Sequence, residues 1–127
     1  MHISIERGAL LKALERVRNV VEGRNTIPIL SNVLMTIADG ALTVTTTDLD
    51  IEATARAESS DFDFVPGQIT APMATLYDLV RKLPEGSTVL LKYDGDDPRL
   101  LVKAGRFKTN LPVLPAGDFP AMSSDGL

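Results

Sequence analysis

The chain has 127 residues, a formal net charge of −4, 44% hydrophobic and 24% charged residues, no cysteine and one histidine. That is the size and make-up of one globular domain with a real core. It excludes disulfides, thiol nucleophiles and cysteine-based zinc sites, and no apolar run approaches the ~18 residues of a membrane span. The start, MHISIERGALL, has an acidic residue where a secretory leader would be basic, so a cytoplasmic address is expected.

Residues 2–6 (HISIE) alternate as a strand does. In 8–21 the apolar residues Leu10, Leu14, Val17 and Val21 recur every three or four positions, which predicts an amphipathic helix ending near Gly23. After a loop over 23–28, runs 29–37 and 41–47 flank Asp39-Gly40, a hairpin signal, and 49–57 alternates again. The order then returns. Residues 67–71 suit a short strand. A second helix is predicted over 72–83, with Pro72 in its first turn and Met73, Leu76, Tyr77, Val80 and Leu83 on one face. Pro84-Glu85-Gly86 stops it, and strands follow at 87–93, 99–104 and 106–113, the first two joined by a turn over 94–98. The chain thus reads β-α-β-β-β twice, at a period of roughly 65 residues, in pattern rather than in identity. An α+β fold is expected, with two helices packed on one side of antiparallel sheet. The domain is expected to occupy 1–120, with 121–127 opening a linker.

Charge is unevenly spread. Residues 7–24 and 72–83 together hold seven basic and three acidic residues, a net +4, while the rest holds six basic and fourteen acidic, a net −8. Lys12 and Arg16 fall opposite the Leu14/Val17/Val21 stripe, and Arg81 and Lys82 fall off the Leu76/Val80 face. A mildly basic helical surface on an acidic protein attracts a phosphate backbone locally. Solvated faces of ordinary amphipathic helices have the same pattern.

Catalytic constellations are sparse. His2 would have to serve any Ser-His-Asp triad, and a surface histidine on a terminal strand is the plainer reading. Asp48, Asp50 and Glu52 alternate, and on a strand would share a face able to hold Mg²⁺ for a nucleic-acid enzyme. An acidic outer strand face reads identically, and no phosphate-binding glycine loop accompanies the three. Residues 94–97 lack the ligand spacing of a calcium loop. No cofactor is called for.

The stretches TIPILSNVL, TTDLDIE, LPEG and LPAGDFP, together with the opening MHISIERGALLKAL, resemble the bacterial DNA polymerase III β sliding clamps in order along nearly the whole chain. The resemblance implies a clamp domain of two β-α-β-β-β units, the first of three in a subunit, with two subunits closing head to tail into a ring around duplex DNA. It implies a non-catalytic processivity factor whose partners are double-stranded DNA, a second clamp subunit and, through domains absent here, the polymerase and the clamp loader. It implies DNA contact by Arg24 and Arg81, with Lys12, Arg16 and Lys82 added on electrostatic grounds. It implies a subunit interface along the last strand, at Arg106, Phe107, Lys108, Thr109 and Leu111. This chain departs from the family pattern at Ala74, where an arginine is usual, at Thr75, often an interface lysine, and at Thr109, where Phe107 supplies the aromatic ring two residues early. The rival reading is a protein-interaction module that uses the edge 106–113 alone.

Overall fold

A computed structural model describes residues 1–21, 28–95 and 98–120. Two four-stranded antiparallel sheets carry the fold. Its elements are β1 (His2–Glu6), α1 (Arg7–Val17), β2 (Asn32–Ala38), β3 (Ala41–Thr47), β4 (Glu52–Glu58), β5 (Gly67–Pro72), α2 (Met73–Lys82), β6 (Thr88–Lys92), β7 (Arg99–Ala104) and β8 (Phe107–Pro112). The two repeats exchange their first strands. One sheet runs β1-β6-β7-β8 and the other β4-β3-β2-β5, so each holds one strand from one repeat and three from the other. Isolated bridges at His2–Val65 and Thr70–Leu114 tie further chain to β1 and β5.

Alternation sets which faces are buried. Ile3 and Ile5 of β1, Met35 and Ile37 of β2, Leu42 and Val44 of β3, and Leu100 and Val102 of β7 point into one continuous core. Leu10, Leu14 and Val17 of α1 and Met73, Leu76, Tyr77 and Val80 of α2 complete it. The helices touch each other; α1 lies against β3 and β4, α2 against β2 and β5. Asp39 and Gly40 both take positive φ (53° and 76°) between the paired residues Ala38 and Ala41, the geometry of a two-residue hairpin turn.

Several element boundaries differ from the sequence expectation for local reasons. The first helix, expected to reach residue 21, stops at Val17 and gives way to a 3-10 turn over Arg18–Val20. The buried Thr46 hydroxyl donates to the Val17 carbonyl at 2.7 Å, and the Val21 N–H bonds to Arg18 instead, tightening the last turn. The run expected as a strand from 29 begins at Asn32, because Pro28–Ser31 forms a 3-10 turn. The run expected from 49 begins at Glu52, because Asp48 folds the chain into a turn in which Leu49 takes φ 83°. Pro72, expected inside the second helix, caps it from an extended conformation. Residues 96 and 97 of the expected turn lie outside the described residues.

Candidate functional site

Glu6 and Arg7 set the helical layer. The Glu6 carboxylate accepts from the N–H groups of Gly8 (3.0 Å) and Ala9 (3.2 Å) and so caps α1. Arg7 then reaches across to the far end of α2: its Nε donates to the Val80 carbonyl (3.3 Å) and its Nη2 to the Arg81 carbonyl (2.7 Å). Both carbonyls lie in the last turn of α2, where the helix runs out of N–H donors; the Val80 carbonyl also accepts from the Leu83 N–H at 3.2 Å. Arg7 therefore pins the start of one helix to the end of the other. Its charge, counted in the basic helical surface on sequence grounds, is committed inside the protein.

The other basic residues stay outside. Lys12, Arg16, Arg81 and Lys82 are all exposed on the helices. Lys12 and Arg16 line a cleft of about 310 Å³ with Ala9, Ala13 and Arg56, Ala57 and Glu58 of β4. Lys82 lines another of about 420 Å³ with Thr75, Asp78, Leu79, Leu83 and Phe107, where α2 meets the start of β8. The clefts use the same helical positions one repeat apart. Arg81 Nη2 lies 3.4 Å from Asp78 Oδ1, an exposed pair worth little in itself. Arg24 lies outside the described residues.

A contact absent from the sequence reading joins the helices. The Arg18 guanidinium stacks 4.4 Å from the centre of the Tyr77 ring, and Arg81 lies 5.9 Å from the same ring. The Tyr77 hydroxyl donates to Glu15 Oε2 at 3.3 Å. Arg18 sits just past the end of α1, in the 3-10 turn that replaces its expected last turn. Its position next to a buried aromatic half a chain away has no signal in the local pattern.

At the other edge, β8 pairs with β7 on one side and, among the described residues, has no strand paired on its second side. Phe107, Thr109 and Leu111 share one face and grade from 43% exposed through half-buried to buried. Arg106, expected as the first residue of this strand, sits instead in the Gly105-Arg106 turn, where Gly105 takes φ 59°. Lys108 stands directly opposite Lys103 of β7.

The carboxylate constellation does not assemble as a metal face. Asp48 Oδ1 accepts from the N–H groups of Ile51 (2.7 Å) and Asp50 (2.9 Å). These bonds, Ile51's first, hold the Asp48 carboxyl below the usual aspartate range. Asp50 belongs to the turn rather than to a strand, so the alternation that would align it with Asp48 and Glu52 is broken. Among the described residues no group of three or more His, Cys, Asp or Glu is placed to hold a metal ion. His2 pairs through Nε2 with Asp63 at 3.0 Å on the surface. No helix among the described residues is long and apolar enough to cross a membrane.

Residues 1–123 match the family described as DNA polymerase III beta subunit, N-terminal domain. The chain belongs to that family. It is 60% identical over all 127 residues to the beta sliding clamp of Caulobacter vibrioides strain NA1000, and 42% identical over 120 residues to that of Escherichia coli K12. It covers 34% and 32% of those proteins, about a third of their length. The crystal structure of the DNA polymerase sliding clamp from Caulobacter crescentus superposes with a TM-score of 0.92 at 59% identity, over 99% of this chain and 34% of that one. That of the DNA polymerase III subunit beta from Pseudomonas aeruginosa gives 0.89 at 42%, over 96% and 32%. The α+β fold read from the doubled pattern, and the clamp domain that the resemblance implied, are thereby established.

Proposed function

We propose that this chain is the first domain, residues 1–120, of a clamp that encircles duplex DNA and tethers a replicative polymerase to it, with 121–127 opening the linker to further domains. The observation that carries the reading is the helical layer: Lys12, Arg16, Arg81 and Lys82 are exposed on two helices that pack side by side in an otherwise acidic protein. Mobile, sequence-independent contact with phosphates needs a modest basic surface rather than base-reading side chains. The role is non-catalytic, cytoplasmic and topological. A closed ring stays on DNA without binding any one site tightly.

Closure is assigned to β8. A strand with a free second edge extends a sheet into a neighbour through backbone hydrogen bonds. Phe107 offers exposed apolar surface beside it. Directly opposed lysines are unfavourable until opposite charge is brought to them, so Lys103 and Lys108, with Arg106 nearby, suit an acidic partner edge on a second subunit. Polymerase and clamp loader are assigned to the remaining domains. The interaction-module reading becomes part of this one, with the edge as the subunit interface.

A salt titration of duplex-DNA binding by the full-length clamp tests the reading. Arg24→Ala is expected to weaken binding and to lower the slope of log affinity against log salt by about 0.9, the release of one counterion. Wild-type binding that does not change with salt would sink it.

A further inference from the structure

Lys12, Arg16, Arg81 and Lys82, assigned above to DNA, are exposed, and so is Arg18, which lies nearest an aromatic ring: 4.4 Å over Tyr77, against 5.9 Å for Arg81. We infer that Arg18 is a further phosphate-contacting residue of the clamp, pre-oriented by stacking on Tyr77, and that it acts from the inter-helix cleft between the end of α1 and α2. The inference rests on the DNA-encircling reading above and adds a residue to it.

The cleft has a volume of about 360 Å³ and is lined by Arg18, Asn19 and Val21 from the end of α1 and by Met73, Ala74, Tyr77 and Asp78 from α2. Tyr77 is nearly buried, at 9% exposure, and its hydroxyl is anchored on Glu15, so the ring is a fixed platform. The Arg18 guanidinium carbon lies over the Tyr77 ring, 4.4 Å from its centroid, where the negative face of the ring attracts it. The N–H donors of a guanidinium lie in its own plane, and face-on stacking leaves that fork free for two oxygens of one phosphate. Stacking therefore removes the rotamer freedom that an extended arginine loses on binding without consuming the donors. Arg81, near the same ring, adds a second cation.

Among the described residues Asp78 and Glu15 are the carboxylates beside this cluster, and both are engaged. Asp78 is paired with Arg81, and Glu15 accepts the Tyr77 hydroxyl. Among the described residues neither makes an ion pair with Arg18. Ala74 matters here by its size. Its methyl group leaves the α2 wall of the cleft open beside Arg18, at the position where the family resemblance leads one to expect an arginine. The cation on this part of the surface is supplied from α1.

The test is duplex-DNA binding by the full-length clamp across a potassium chloride titration, with Arg18→Ala, Arg18→Lys and Arg24→Ala. Arg18→Ala is expected to bind roughly three- to tenfold more weakly at low salt, with a slope lower by about 0.9. Arg18→Lys keeps the slope but binds more weakly than wild type, because an ammonium has neither the flat face nor the fork. Arg18 is exposed, so its substitutions leave the core intact. If Arg18→Ala matches wild type while Arg24→Ala is impaired, the inference is overturned and the clamp reading survives. If wild-type binding has no salt dependence, the clamp reading itself fails. Arg18→Lys indistinguishable from wild type would overturn the stacked, fork-presenting geometry.

Discussion

Arg7→Ala removes the link between the two helices. Arg7 makes two bonds from one charged side chain to the Val80 and Arg81 carbonyls, at 3.3 and 2.7 Å. Hydrogen bonds to a charged group contribute ~1.5–3 kcal/mol each when well buried. Here one is exposed and the other partly buried, so each falls below that range, at about 1 kcal/mol, and the pair is expected to contribute about 2 kcal/mol. A cation at a helix C-terminus accounts for ~0.3–1 kcal/mol of this through the helix dipole. Arg7→Lys retains that charge and one donor at most, so it should cost about 1 kcal/mol. Urea unfolding of the 127-residue chain measures both, with the midpoint shifting and the slope unchanged. The DNA-binding salt slope of the full-length clamp should be unaltered by either substitution, since this cation is already engaged by protein carbonyls. An Arg7→Ala loss below about 0.5 kcal/mol, or an Arg7→Lys variant as stable as wild type, would refute the two-donor linkage.

Two further outcomes are expected. Thr46→Val keeps the shape of a fully buried side chain but removes the hydroxyl's bond to the Val17 carbonyl; a loss of ~0.5–1.5 kcal/mol in the same urea assay is expected, and a change within 0.3 kcal/mol (about the additive error between independent sites) would show that the bond does not hold the helix end. Asp48 has a lowered pKa, so its contribution is present above the unfolded-state value of 3.8 and is lost as pH falls through the lower folded value. The amide resonances of Ile51 and Asp50 should therefore titrate with a midpoint below 3.8, and a midpoint at or above 3.8 would contradict the turn. Asp48→Asn should abolish that titration.

Much of the clamp domain was legible because its elements carry their own local signatures. The stripes Leu10/Leu14/Val17 and Met73/Leu76/Tyr77/Val80 named both helices, and the alternation in 41–47 and 99–104 gave two strands to the residue. The exposure of Lys12, Arg16, Arg81 and Lys82 followed from the same wheels. Misplaced boundaries occurred where a side chain captures a backbone group. Thr46 takes the Val17 carbonyl from across the core, and Asp48 takes two N–H groups that a strand would have left for its neighbour.

The sequence by itself determined how many elements there are, which face of each is buried, and that cations gather on the helices, because period and side-chain chemistry are local properties. Only the tertiary structure decided that β1 and β5 cross into each other's sheets, that Arg7 is engaged internally while Arg18 stacks on Tyr77, and that Asp48, Asp50 and Glu52 do not form one face. An apolar stripe records that it must be covered, but one apolar partner serves nearly as well as another. The choice among partners is made by the packing of the whole chain, in pairings as distant as Ile5 with Val89.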